Sequence, residues 1–220
     1  MRTVLLSWSG GKDSAMALRG IWQRDQHVTA LLTTITGDDD RIQMHGVRRL
    51  LLEQQAVSLG LPLHQVTIPK RACNREYEAK MTEALAAHRE AGIDTVAFGD
   101  LFLEDIRLYR EQLLARVGMR GLYPIWQRNT TELIKEFIGQ GFKAVVTCVN
   151  SKQLDASFAG RIIDDYFLAA LPPTVDPCGE NGEFHSFVFS GPLFKDEIKF
   201  SVGETVFRDD HYFRDLLPSV

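Results

Sequence analysis

Residues 9–14 read Ser-Gly-Gly-Lys-Asp-Ser and stand directly behind the aliphatic run Thr3-Val4-Leu5-Leu6-Ser7-Trp8. The run predicts a short strand, and the Gly-Gly pair a tight turn into a helix starting near Asp13 or Ser14. Glycines without Cβ atoms let the backbone approach a bulky anion. The first-turn N–H groups of the helix lack intrahelical partners and lie at the positive end of its dipole, so phosphate oxygens suit them. Lys12 adds a point charge, and Ser9 and Ser14 add hydroxyl donors. Asp13 is the odd member, since a carboxylate beside phosphate makes sense mainly when Mg²⁺ is shared between them. The plainer account is a strand–turn–helix junction with Ser14 or Asp13 as N-cap.

The six residues match the SGGxDS signature of the PP-loop ATP pyrophosphatases, and the Walker A spacing is absent. The resemblance implies cleavage between the α- and β-phosphates, giving an adenylated substrate and pyrophosphate.

The rest of the chain repeats the strand–helix rhythm. Ala15, Leu18, Ile21 and Trp22 recur at helical spacing, followed by an apolar strand at 28–35. A helix carrying Val47, Leu50, Leu51 and Val57 ends at Gly60 and Pro62, and 63–68 is a third strand. Asn74 is the expected cap of a long helix bearing Tyr77, Met81, Leu85 and His88, and 94–98 is a fourth strand. Such alternation predicts an α/β fold, a Rossmann-like parallel sheet. Ligands bind outside the carboxyl ends of such strands. Residues 9–14, the region of His45, and Gly99-Asp100 should therefore share one edge. The acidic run Asp38-Asp39-Asp40 reads as a solvated loop.

Helices are expected at 104–116, from Asn129 or Thr130 to Gly139, and at 161–171 before Pro172-Pro173, with a strand at 143–149. After that comes β-rich chain with turns at Gly182, Gly191-Pro192 and Gly203. The expected organisation is a nucleotide domain at 1–125 and a smaller C-terminal α+β domain at 126–220.

Over 220 residues, 45% hydrophobic, a sizeable core can be buried. A net charge of −4 without a Lys/Arg run suggests neither nucleic-acid nor membrane affinity. Cys73, Cys148 and Cys178 lack metal or disulfide spacing, so a reducing cytoplasm is expected.

The second informative stretch is Asp176-Pro177-Cys178-Gly179-Glu180-Asn181-Gly182-Glu183-Phe184-His185-Ser186. As a strand, 183–189 would place Glu183 and His185 on one face with Phe187 and Phe189. Residue by residue, turn residues and a core histidine bonded to Glu183 would explain it. As a cluster, so many polar groups beside phenylalanines favour a site.

Together with the loop at 9–14, this stretch and Leu154-Asp155-Ala156-Ser157-Phe158-Ala159-Gly160-Arg161 resemble the diphthine–ammonia ligase family. His45, Gln55-Ala56 and Leu59-Gly60-Leu61-Pro62 also fit its pattern. The resemblance spans nearly the whole chain and implies a PP-loop (HUP-type) nucleotide domain followed by a domain particular to the family. The implied reaction uses ATP to adenylate the diphthine carboxylate of elongation factor 2, and ammonia then displaces AMP. Members commonly carry Gly-Ala-Ile and a Tyr-Gln pair after the fourth strand. Here the chain reads Gly99-Asp100-Leu101-Phe102-Leu103-Glu104-Asp105-Ile106, while Arg107 and Glu111 still fit and Ser186 replaces a threonine. That departure lies where the acceptor should approach. With 8 Lys against 17 Arg, the chain lacks the Lys enrichment of hyperthermophiles. A bacterial relative, acting on another carboxylate, fits that composition.

The resulting expectations assign ATP to Ser9, Gly10, Gly11, Lys12, Asp13, Ser14, Gly99 and Asp100, with Mg²⁺ at Asp13 or Asp100. Lys12, Asp13, Glu180, Glu183 and His185 are the expected catalytic groups, His185 being the natural base by its ordinary pKa. Arg107, Glu111, Gly179, Asn181 and Ser186 are expected at the acceptor, so that 9–14 serves ATP and 179–186 the acceptor. Free ammonia is the expected nitrogen donor, since no glutaminase-like segment is visible, and a homodimer is compatible with the sequence. Two rivals stand beside this reading: another PP-loop modification, such as tRNA thiolation, and a non-catalytic nucleotide sensor.

Overall fold

A computed structural model describes residues 3–37, 40–42 and 45–219. Strands β1 (Thr3–Ser7), β2 (His27–Thr36), β3 (Arg41–Ile42), β4 (Leu63–Ile68), β5 (Thr95–Ala97) and β6 (Arg120–Leu122) form one sheet. Within it β1, β2, β4, β5 and β6 run parallel, and β3 adds antiparallel to the end of β2. The intervening helices are α1 (Lys12–Trp22), α2 (Arg49–Leu59), α3 (Asn74–Glu90) and α4 (Glu104–Ala115). Then come α5 (Thr130–Gly139), β7 (Lys143–Asn150), α6 (Asp165–Ala170), β8 (Phe184–Ser190), β9 (Phe200–Arg208) and β10 (His211–Pro218). Strands β7 to β10 make an antiparallel sheet in the order β8-β7-β10-β9. The expected Rossmann-like parallel sheet with a smaller α+β part is the fold found.

Strand β1 occupies the centre, with β2 on one side and β5 on the other. The strand order reverses there, at the switch point where ligands enter a doubly wound sheet. The loops after β1 and β5 hold residues 9–14 and Gly99-Asp100, so the shared edge inferred from sequence is real.

Side chains of β1 alternate between two cores. Val4, Leu6 and Trp8 join a large cluster running through α1 and α2 into Val145, Phe184 and Phe187 of the second sheet. Leu5 faces a smaller cluster with Leu32, Val96, Leu85 and Leu114, covered by α3 and α4. The second sheet and the first thus share one continuous interior, burying the α1 face of the parallel sheet as such sheets require.

Several boundaries differ from expectation. The helix expected over 161–171 spans only Asp165–Ala170, capped by Asp164, whose Oδ1 accepts from Phe167 N at 2.8 Å. The preceding Ile162-Ile163 is β-branched and lies along β7, where Ile163 N donates to Ala144 O at 2.9 Å. Helix α3 is capped by Cys73 rather than Asn74, with the Glu76 carboxylate accepting the Cys73 N–H at 2.9 Å. The two short strands β3 and β6 carry too few residues to show a period of two. Of the acidic run, Asp38 and Asp39 lie outside the described residues, and Asp40 pairs with Arg49 at 2.8 Å.

Candidate active site

The glycine turn is fastened from behind by one buried amide. Gln55 on α2 accepts from Trp8 Nε1 at 2.9 Å and donates to the carbonyls of Gly10, at 3.0 Å, and Val188. Val188 N also donates to Gly10 O at 2.9 Å. Gly10 has φ +78°, and a Cβ there would sit 2.8 Å from Gln55 Oε1, so a side chain is excluded by strain and by space. A Cβ on Gly99 would fall 2.8 Å from the Asp13 carbonyl carbon. The chain after β5 thus lies directly against the start of α1.

Within the loop, Ser14 Oγ donates to Gly11 O at 2.8 Å and Gly11 N donates to Ser9 Oγ at 3.3 Å. Lys12 is almost fully buried, its Nζ 2.9 Å from Asp13 Oδ2 and 5.1 Å above the Phe184 ring. Burial opposes the charge on Lys12, but Asp13 and Glu180 outweigh it and hold the ammonium protonated. Lys12 N donates to Ser186 Oγ at 3.2 Å, which brings the 179–186 stretch onto the phosphate loop itself.

Two cavities meet at this point. The smaller, about 230 Å³, is walled by Ser9, Lys12, Asp13, Ser14, Gly99, Asp100, Gly179, Glu180, His185 and Ser186. The larger, about 630 Å³, opens across the carboxyl ends of β1, β2 and β4, with Thr33, Ile68, Tyr77, Met81, Phe98 and Tyr109 among its walls. Ser7, Ser9, His45, Arg110 and His185 line both.

Glu180 accepts the Leu101 N–H at 2.8 Å and has its pKa pushed up to about 7, first by loss of hydration and then by Asp13. The rings of His45 and His185 lie 4.6 Å apart, and His45 Nδ1 is 3.2 Å from Ser186 O. Enclosure lowers the His45 pKa to about 4; the Ser186 carbonyl acts against the shift and Lys12 with it. Enclosure, then His45 and Lys12, holds His185 well below its ordinary range. Both imidazoles are therefore neutral near pH 7. Of these three groups, Glu180 is the one whose pKa lies near 7.

Other expectations are not met by the geometry. Glu183 is buried away from both cavities, its carboxylate accepting from Asp176 N at 3.0 Å, Asn181 N at 2.9 Å and Asn181 Nδ2 at 3.0 Å. It shapes the 176–183 turn, with Asn181 as its partner, rather than facing a reactant. Arg107 and Glu111 pair with each other at 2.8 Å, and Arg107 stacks on Tyr123 and Trp126, outside the walls of either cavity. The face of α4 that does line the site carries Ile106, Tyr109, Arg110, Leu113 and Leu114. Arg110 was not among the expected residues, although this 3.6-residue spacing was legible in the sequence. The carboxylates expected to hold Mg²⁺ are committed to cations: Asp13 to Lys12, and Asp100 to Arg110 at 3.0 Å. Among the described residues no group of three His, Cys, Asp or Glu side chains is arranged to hold a metal ion. The donor set does not fit a metal held by the protein alone.

The sequence matches the diphthamide synthase N-terminal domain over residues 1–121 and the diphthamide synthase C-terminal domain over residues 129–216. A Danio rerio protein named diphthine–ammonia ligase is 28% identical over 237 residues, which cover 97% of this chain and 91% of the relative. The Homo sapiens protein of the same name is 26% identical over 220 residues, covering 90% and 82%. A solved structure described as a predicted subunit of tRNA methyltransferase from Methanocaldococcus jannaschii covers 89% of this chain and 100% of its own. Its TM-score to this chain is 0.46, at 16% identity.

Proposed function

The chain belongs to the diphthamide synthase family, and from that premise we propose that it is an ATP-dependent ligase that activates a carboxylate as its adenylate and transfers ammonia to it. The observation that carries the reading is the pair of joined cavities, one beside a Gly-Gly loop at a helix N-terminus and one, about 630 Å³, with room for a nucleoside. The acceptor is the diphthine carboxylate of elongation factor 2 or an analogous carboxylate. Residues 1–125 bind the nucleotide, and 126–220 supply the facing wall.

The adenosine part of ATP fits the larger cavity. The β- and γ-phosphates meet Ser9, Gly10, Gly11, Ser14 and the first turn of α1, where Lys12 neutralises the departing pyrophosphate. The acceptor carboxylate oxygen attacks the α-phosphorus, and the bond to the β-phosphate breaks with its electron pair leaving on pyrophosphate. Ammonia then attacks the acyl carbon, forming the amide and expelling AMP. Glu180, ionised above about pH 7, takes the proton that the nitrogen sheds. The neutral rings of His45 and His185 can each accept or donate one hydrogen bond to orient the reactants. Mg²⁺ would enter with the nucleotide's phosphates, and no step is assigned to it.

Incubation with ATP, ammonium and diphthine-bearing elongation factor 2, followed by chromatography and mass spectrometry, tests this. AMP, pyrophosphate and an amidated acceptor are expected, with Lys12→Ala slowing turnover by roughly 10²- to 10³-fold. ADP and phosphate as products would overturn the proposal. ATP turnover to AMP without amidation of elongation factor 2 assigns a different carboxylate. Nucleotide binding without any turnover assigns a sensor.

A further inference from the structure

Among the described residues, Arg110 is the one cationic side chain of the five shared by the two cavities; the others are Ser7, Ser9, His45 and His185. We propose that Arg110 contacts the nucleotide directly, gripping the non-bridging oxygens of the α-phosphate, and that Asp100 is its positioning residue. The inference rests on the ATP reading above.

Position comes first. If adenosine fills the larger cavity and the β- and γ-phosphates reach the Gly-Gly loop, the α-phosphate occupies the seam between the two. Lys12 cannot serve that seam: it lines only the smaller cavity and is paired to Asp13. Among the described residues the seam otherwise offers two hydroxyls and two uncharged imidazoles.

The state of the guanidinium is the second observation. Its plane is carried on the Phe98 ring, with Cζ 4.4 Å from the ring centroid, and Nε lies 3.0 Å from Asp100 Oδ2. That contact is an ion pair without a hydrogen bond, because the N–H is not aimed at the oxygen. Arg110 Nε and Asp100 Oδ2 are both buried and unsatisfied. Buried polar groups are normally hydrogen-bonded, so this pair is held by charge while directional donor capacity remains. A phosphate matches that fork, because guanidinium binds phosphate oxygens through two parallel N–H donors.

Chemistry supplies the third argument. When the acceptor oxygen adds to the α-phosphorus and the bond to pyrophosphate breaks, negative charge concentrates on the non-bridging oxygens. Fixed donors there lower the barrier more than they improve ground-state binding. Asp100 faces Asp13 and lies near Glu180, so its pairing with Arg110 also offsets repulsion among three carboxylates around one small cavity.

The test is a truncation series in which adenosine, AMP and ATP are titrated calorimetrically into wild type, Arg110→Met, Arg110→Lys and Lys12→Met. Arg110→Met should leave adenosine affinity near wild type and reduce the preference for AMP over adenosine about tenfold or more. Lys12→Met should keep that preference and lose the preference for ATP over AMP. Arg110→Lys retains charge and stem but not the fork, and should fall between wild type and Arg110→Met. In single turnover, pyrophosphate release by Arg110→Lys should slow more than KM for ATP rises. An unchanged AMP-to-adenosine preference in the Arg110 variants overturns the proposal. Equal loss of adenosine and AMP affinity in both Arg110 variants assigns a purely structural role and also overturns it. Wild-type protein that binds AMP no tighter than adenosine has no α-phosphate clamp. Wild-type protein that binds none of the three ligands refutes the ATP reading itself, and the inference falls with it.

Discussion

The backbone N–H of Lys12 donates to the hydroxyl of Ser186 at 3.2 Å, across 174 residues of sequence. The first N–H of α1 is thus capped by the second sheet, and the two motif stretches are opposite walls of one cavity. A division in which 179–186 spares ATP entirely does not fit this contact.

Ser186→Ala removes the acceptor of the Lys12 N–H, so ATP affinity and stability should fall together. The loss should be about 1 kcal/mol in stability, with Ser186→Thr restoring most of it. Melting temperature and nucleotide titration on both variants check this. Wild-type values for Ser186→Ala would show that the hydroxyl positions nothing.

Gln55 is fully buried and joins Trp8, the Gly10 carbonyl and the Val188 carbonyl through its one side-chain amide. Gln55→Leu keeps the approximate volume but strands the Trp8 indole N–H and the Val188 carbonyl. Denaturant unfolding should show a loss of roughly 2–4 kcal/mol, well beyond that of an exposed substitution such as Val57→Ala. A loss comparable to Val57→Ala would mean that backbone bonds alone hold the loop.

The parallel sheet, its ligand edge and the phosphate loop were legible because each rests on local pattern. The aliphatic run at 3–8, the Gly-Gly turn and helical spacing in 15–22 need no distant partner to be read. What sequence could not show are contacts made by folding the second sheet onto the first. Glu183 looks like a catalytic carboxylate beside His185, yet Asp176 and Asn181 consume its oxygens. His185 has the pKa of a base only in water, and its enclosure against His45 and Lys12 removes it. Arg107 fits the family pattern, while the face of α4 turned to the cavity carries Arg110.

Asp215 ties the chain around His45 to the C-terminal hairpin, accepting from Arg41 at 2.9 Å and from Arg48 at 2.7 and 3.1 Å. Burial works to raise its pKa, but the two guanidinium groups outweigh this and hold it at about 2. A carboxylate lowered by folding adds stability above its unfolded pKa, near 3.8, and that stability is lost as pH falls toward 2. Asp215→Asn should lower stability at pH 7 by about 1–2 kcal/mol and flatten this acid limb. Because His45 sits on the tied segment, ATP affinity should drop as well. Unfolding curves from pH 2 to 7 that superimpose for wild type and variant would refute the role of the pair.

Glu180 gives the opposite sign. Its folded pKa of about 7 lies above the ordinary carboxylate range, so the native state binds more protons than the unfolded chain between roughly pH 4.5 and 7. Stability from this group is therefore present at low pH and is lost as pH rises through 7. Catalysis should run the other way, since the carboxylate that accepts a proton from the attacking nitrogen exists only after ionisation. Amide formation should climb through pH 7, while pyrophosphate release, which does not need this base, should stay nearly level. Glu180→Gln keeps an oxygen for the Leu101 N–H, so the fold and ATP affinity should survive. It should slow amide formation roughly 10²- to 10⁴-fold and erase the inflection near pH 7. Parallel pH profiles for the two half-reactions, measured on both proteins, decide the matter. An inflection that persists in Glu180→Gln assigns the proton transfer to another group.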